Sequence, residues 1–133
     1  MRETAVMTSF TFDHFHLRSP DPEAAARVWV NALGATIRTR MEVPAGIRVV
    51  LDLCGLTLFL EQVPPGTAVP PAAPHAGLEH LGLGVPDLDA ALASATAAGA
   101  LLESGPSSPR PGLRIAFVTM PDGVRVELLE RKG

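Results

Sequence analysis

Residues 12–27 read FDHFHLRSPDPEAAAR, and residues 78–92 read LEHLGLGVPDLDAAL. Laid on each other, Phe12-Asp13-His14 matches Leu78-Glu79-His80, Pro20-Asp21 matches Pro86-Asp87, and Ala24-Ala25 matches Ala90-Ala91. The offset from His14 to His80 and from Asp21 to Asp87 is the same 66 residues. Two half-length units therefore each begin with an acidic residue and a histidine on an apolar strand. Each then turns through Pro-Asp into an alanine-rich helix. A duplicated unit that repeats a histidine can bring both copies around one point, and that suggests a shared metal site.

The elements follow from local chemistry. Residues 10–18 alternate as a strand, with Phe10, Phe12, His14 and His16 on one side and Thr11, Asp13, Phe15 and Leu17 on the other. Asp21 followed by Pro22 is a helix start, because aspartate accepts the first free amides and proline fits the first helical position. Ala25, Val28, Trp29 and Ala32 share a helix face, and Gly34 ends it. Strands are predicted around 35–42, 46–53 and 56–62. Residues 63–77, VPPGTAVPPAAPHAG, form a semi-extended linker whose prolines cannot serve a central sheet. His75 within it is expected to be exposed. The second unit repeats the plan: a strand at 78–85, a helix capped by Asp87 and ended by Gly99, a short strand near 101–104, a GPSSPRPG loop at 105–112, and strands at 113–120 and 123–130 joined by Pro121-Asp122-Gly123. The chain of 133 residues is expected to be one domain, with a first module at about 8–62 and a second at about 78–131.

Composition narrows the function. Hydrophobic residues make up 47% and charged residues 19%, so a packed core is expected and disorder is not. With a net charge of −3 and no basic run, a nucleic-acid partner is not expected. No apolar stretch reaches the roughly 18 residues of a membrane span, and the opening MRETAVMTSF lacks the form of a secretory signal. The one cysteine, Cys54, excludes an internal disulfide and fits a reducing cytoplasm. Placed inside VVLDLCG, it is predicted to be a small buried strand residue and not a nucleophile. With no tyrosine in the chain, no tyrosine acid or base can act.

The third candidate ligand comes from the last strand. In VRVELLE, Arg125, Glu127 and Leu129 share one face. A carboxylate in a mostly apolar strand is costly unless paired, and a metal ion offsets that cost. His14, His80 and Glu127 together suit iron, manganese, zinc, nickel or cobalt, with positions left for substrate. GLTLFLEQ aligns with GVRVELLE, so Phe59 stands where Glu127 stands in the second copy and cannot ligate. Glu61, on the face of Phe59, reaches the site only if its strand is bulged or shifted. His16 points with His14 and is a candidate base, so His16 and Glu127 are the candidates for direct catalytic roles. Arg18, on the His14 face, and Arg125 are candidates to hold an anionic substrate group; Arg125 alternatively pairs with a glutamate. Phe59 is a candidate substrate wall. Arg110 and Arg114 flank the loop, either as part of a lid or as ordinary solvated residues.

DHFHLRSPDPEAAA, NALGA, EHLGLGVPDLDAAL and IAFVTMPDGVRVELLE together resemble the vicinal oxygen chelate superfamily of glyoxalases, extradiol dioxygenases, fosfomycin thiol transferases, epimerases and bleomycin-resistance proteins. The resemblance spans about Phe10 to Glu130. It implies an α+β fold of two βαβββ modules forming an open cup of mixed sheet, with helices outside and a divalent metal held by His14, His80 and Glu127. It also implies a homodimer in which a cup can be built from one module of each subunit. Glyoxalase I and the epimerases carry a fourth ligand where Phe59 stands, which argues against those activities. The two-histidine, one-glutamate pattern is similar to the dioxygenases and fosfomycin transferases, although the first carry a catalytic tyrosine and the second carry lysine, serine and tyrosine loop contacts not found here. The expectation is a metal-dependent dioxygenase or lyase acting on vicinal oxygens. The alternatives are a non-catalytic, antibiotic-sequestering protein with Phe10, Phe12 and Phe59 lining the cup, and a fosfomycin-type thiol transferase.

Overall fold

A computed structural model describes residues 8–132; residues 1–7, part of the stretch read for a secretory signal, lie outside it. The first unit runs β1 (Phe15–Ser19), α1 (Pro22–Leu33), β2 (Thr36–Val43), β3 (Gly46–Leu53) and β4 (Leu56–Gln62). The second runs β5 (Leu81–Gly84), α2 (Leu88–Ala97), β6 (Leu101–Arg110), β7 (Leu113–Thr119) and β8 (Arg125–Arg131), with a 3-10 turn at Pro121–Gly123 before β8. Each unit forms its own four-stranded sheet, in the orders β1-β4-β3-β2 and β5-β8-β7-β6. β1 lies parallel to β4 and β5 parallel to β8, while the other pairs are antiparallel. The sequence repeat is thus a structural repeat, and the fold is α+β with two βαβββ modules of mixed sheet. No helix among the described residues is long and apolar enough to cross a membrane.

The helix starts sit where their chemistry requires. The side-chain oxygen of Asp21 accepts the Ala24 amide at 3.0 Å, and that of Asp87 accepts the Ala90 amide at 3.1 Å. Gly34, at φ 78°, terminates α1 in the left-handed region that glycine adopts without cost. A further cap comes from far along the chain. Glu130, only 3% exposed, accepts the Leu88 amide at 2.9 Å. A buried carboxylate is tolerable there because the first amides of a helix lack partners and its dipole is positive at that end.

Alternation along the strands builds the core. Leu58 and Leu60 of β4, Val49, Leu51 and Leu53 of β3, and Val126 and Leu128 of β8 all point to the helix side and are buried. Trp29 of α1 and Leu88, Leu92 and Ala95 of α2 meet them in one contiguous cluster. Fully burying each large side chain contributes roughly 1.5–3 kcal/mol. α1 packs on β3 and β4, α2 on β6, β7 and β8, and the helices touch each other. Each sheet therefore has one face covered by its helix and one face open.

Three sequence expectations are corrected. β1 begins at Phe15, not near Phe10; Phe10 and Phe12 are exposed, and Phe12 leans edge-on against Phe15 at 5.1 Å. The GPSSPRPG segment is no loop up to Arg110: β6 continues through it, with repeated register shifts against β7. Its prolines are tolerated because β6 is an edge strand, whose outer amides have no ladder to serve. Cys54 is exposed and not buried in a strand. Leu53 pairs with Leu56, so Cys54 and Gly55 form the whole β3–β4 turn, with φ 45° and 90°. A two-residue hairpin of that hand needs positive φ at both positions.

Candidate functional site

The candidate residues fall on the open faces. On the first sheet, His16 of β1 stands beside Phe59 of β4 in register, and Arg18 stands beside Glu61. His14 lies just before β1 on the same side, its ring stacked on Phe59 with centroids 4.1 Å apart. Its Nδ1 is 2.6 Å from Oδ2 of Asp13. His16 meets Phe59 edge-on at 5.8 Å, with its Nε2 3.5 Å from Oε1 of Glu61. Arg48 donates to the same Glu61 oxygen at 2.9 and 2.6 Å, and its guanidinium lies 4.7 Å over the Phe59 ring. Burial pushes the His16 pKa down, with Glu61 pulling the other way. The hydrogen bond from Arg48 holds the Glu61 carboxyl below its ordinary value. A neutral imidazole beside a fixed carboxylate can accept a proton.

The second sheet carries a different set at the same positions. Glu127 stands beside Gly82 in register, where the first sheet has Phe59 beside His16. Nε2 of His80 is 3.0 Å from Oε1 of Glu127. Nδ1 of His80 is bonded to Glu79, whose other oxygen accepts from Arg125. Arg125 reaches Glu103 as well, at 2.9 Å through Nε and 2.8 Å through Nη2. Its guanidinium lies 4.4 Å over Phe117, and the His80 ring meets that phenylalanine edge-on at 5.0 Å. The hydrogen bond from His80 lowers the Glu79 pKa, and that from Arg125 lowers the Glu103 pKa.

The fold thus brings His80 and Glu127 together and holds His14 on the other sheet. Among the described residues, no group of three or more His, Cys, Asp or Glu side chains is placed to hold a metal ion. One chain presents two of the three expected donors as a pair. Each histidine has Nδ1 tied to the carboxylate before it, which leaves Nε2 to ligate, a usual second-layer arrangement at metal sites. The donor chemistry of His80 and Glu127 is of a kind that suits a divalent ion.

The remaining candidates are placed as follows. Arg18 borders a cleft with His16, Thr67 and Asp122. Arg125 pairs with Glu79 and Glu103. Arg114 forms a fork with Asp89, both contacts at 3.1 Å, and Arg110 is exposed. Glu61 lies on the open face, bonded to Arg48. Sequence reasoning did not find Arg48, Phe117 or Glu103. Alternation in 113–120 carried a signal for Phe117, which sits directly across from Glu127. Glu103 had none, because its partners, Thr119 and Arg125, lie 16 and 22 residues away.

Residues 11–128 match the model of the Glyoxalase/Bleomycin resistance protein/Dioxygenase superfamily. The chain belongs to this superfamily. Solved structures of similar fold include TnmS3, an antibiotic binding protein from Streptomyces sp. CB03234, at 23% identity and TM-score 0.70, covering 96% of this chain and 100% of that one. TioX from Micromonospora sp. ML1 is 24% identical, with TM-score 0.67 and 90% and 99% coverage. A glyoxalase family protein from Enterococcus faecalis is 24% identical, with TM-score 0.74 and 88% and 94% coverage. These likenesses concern the fold alone. No curated protein matches the chain.

Proposed function

We propose that this superfamily member is a divalent-metal-dependent enzyme acting on a small molecule with vicinal oxygens, its site completed when two chains associate. The observation that carries the reading is the His80–Glu127 pair, 3.0 Å apart, with the far nitrogen of His80 tied to Glu79. His80 and Glu127 of one chain and His14 of a second copy would hold the ion. Bound there, it would supply Lewis acidity to two neighbouring substrate oxygens.

The chain's own groups divide the remaining work. Phe59 gives a flat wall for an apolar part of the substrate, with Arg48 fixed over it. His16, whose pKa burial lowers, takes a proton at Nε2, and Glu61 steadies the cation that forms. Arg18 offers a positive charge to an anionic substrate group. Elemental analysis of protein purified without an affinity tag tests the reading. About one transition metal per chain is expected for three protein ligands, lost in a His80→Ala, Glu127→Ala double variant. A wild type that stays metal-free after iron, manganese, zinc, nickel and cobalt have each been supplied would overturn it.

A second reading has its own support. Among the described residues no three donors come together, the open faces carry aromatic rings at Phe59 and Phe117, and a protein of similar fold binds an antibiotic. In that reading the cup sequesters a small hydrophobic ligand without turnover, and chelation leaves its ligand affinity unchanged.

A further inference from the structure

A separate space lies on the helix side of the sheets. A cavity of about 310 Å³ opens between the two modules. From the first module it is walled by Phe15, Leu17, Leu58 and Trp29, and from the second by Leu81 and Val124. Phe15 and Leu17 alternate along the strand with His14 and His16, Leu58 neighbours Phe59, and Leu81 neighbours His80. The cavity and the open faces are therefore back to back, with Glu79, His80 and Arg125 at the shared rim, and Leu17, Val69, Pro70 and Val124 also border the cleft beside His16 and Arg18.

The linker forms the roof. Val69, Pro70 and Pro71 close over the space. Pro70 rests on the turn at Gly123, where an added Cβ would come within 3.3 Å of its ring. Gly123 also has φ 78°, so the close approach and the backbone both call for glycine. Prolines fix φ, so this roof has fewer conformations to lose on closing over an occupant. Trp29 is 1% exposed, and its indole N–H has no hydrogen-bond partner among the described residues.

We propose that this cavity is a second binding site, for a small uncharged ring-bearing molecule, distinct from the site on the open faces. Its size lies at the lower end of the range for small-molecule pockets, roughly 300–1,000 Å³. Its walls are mostly hydrocarbon and aromatic, with His75 and the rim groups Glu79, His80 and Arg125 as the polar lining, so an apolar occupant is driven in by the area it removes from water. A charged occupant would be desolvated without compensation. The one strong cation at the rim, Arg125, is already matched by Glu79 and Glu103. The proposal does not depend on a metal being bound.

Trp29 is the sole tryptophan and the chain has no tyrosine, so its emission reports on this wall alone. Titration with the uncharged fluorophore aminoanthracene should give saturable energy transfer from Trp29, with about one probe per chain and micromolar affinity. Val124→Phe fills the cavity opposite Trp29 and should weaken binding at least about tenfold. Should that variant fail to fold, Val69→Asp places a charge in the exposed roof, away from the core, and should cause the same loss. Phe59→Ala on the open face, Glu127→Gln and added chelator should each leave the affinity unchanged. No saturable transfer, undiminished binding in both cavity variants, or a loss confined to Phe59→Ala would overturn the proposal. Failure of the metal reading would show only in metal content, so the two outcomes are distinguishable.

Discussion

The Nε2 atom of His80 lies 3.0 Å from Glu127, whereas His14, its counterpart in the repeat, stacks 4.1 Å from the ring of Phe59. The two copies keep the histidine and differ in what stands beside it. One half offers a pair of ligating atoms, and the other offers a histidine on an aromatic wall. In the proposed shared site the two halves would complement each other.

Arg125→Ala is expected to loosen the site without touching a donor. Arg125 holds Glu79, which in turn holds Nδ1 of His80. Loss of such an outer partner typically lowers metal affinity about 10–100-fold. Calorimetric metal titration checks this. An unchanged affinity would mean that the Glu79–Arg125–Glu103 chain does not orient the histidine.

Glu130→Ala should destabilise the fold and leave the open faces intact. It removes a buried acceptor from the start of α2 and strands the Leu88 amide, at a cost of about 1–3 kcal/mol. Urea unfolding reads the loss. Glu130→Gln retains an acceptor oxygen and should lose less.

Acid should weaken the sheets through Asp52 and Glu61, whose folded pKa values lie below their ordinary ones because of hydrogen bonds from Arg38 and Arg48 respectively. A depressed folded value gives stability that is present above the unfolded carboxyl pKa, near 4, and is lost as pH falls through the folded value. Thermal melting should therefore be insensitive to these two groups from neutral pH to about pH 5 and fall at lower pH. In Arg48→Ala the share of that fall due to Glu61 should shrink. A variant with the same acid limb as wild type would show that the Arg48–Glu61 pair is not its source.

The repeat made the module plan legible, and local rules placed both helix starts at Asp21 and Asp87. Alternation put His14, His16 and Phe59 on one face and Arg125 and Glu127 on another. Local patterning could not say whether those faces meet within a chain, because that depends on how two finished sheets pack. Glu130 escaped for the same reason: it reads as a strand-end residue, and its capping role exists only after β8 lies beside α2. GPSSPRPG and Cys54 misled for opposite reasons. An edge strand tolerates prolines that a central one would not, and a two-residue turn overrode the apolar run around Cys54.

In the proposed shared site, His14 of one chain completes the His80–Glu127 pair of another. The direct measurement is metal content after mixing His14→Ala chains with Glu127→Ala chains under conditions that let subunits exchange. Each variant alone should stay empty. The mixture should regain metal, because a mixed pair rebuilds one intact set from the Glu127→Ala chain's His14 and the His14→Ala chain's His80 and Glu127. A mixture as empty as its components, beside a metal-loaded wild type, would contradict sharing between chains.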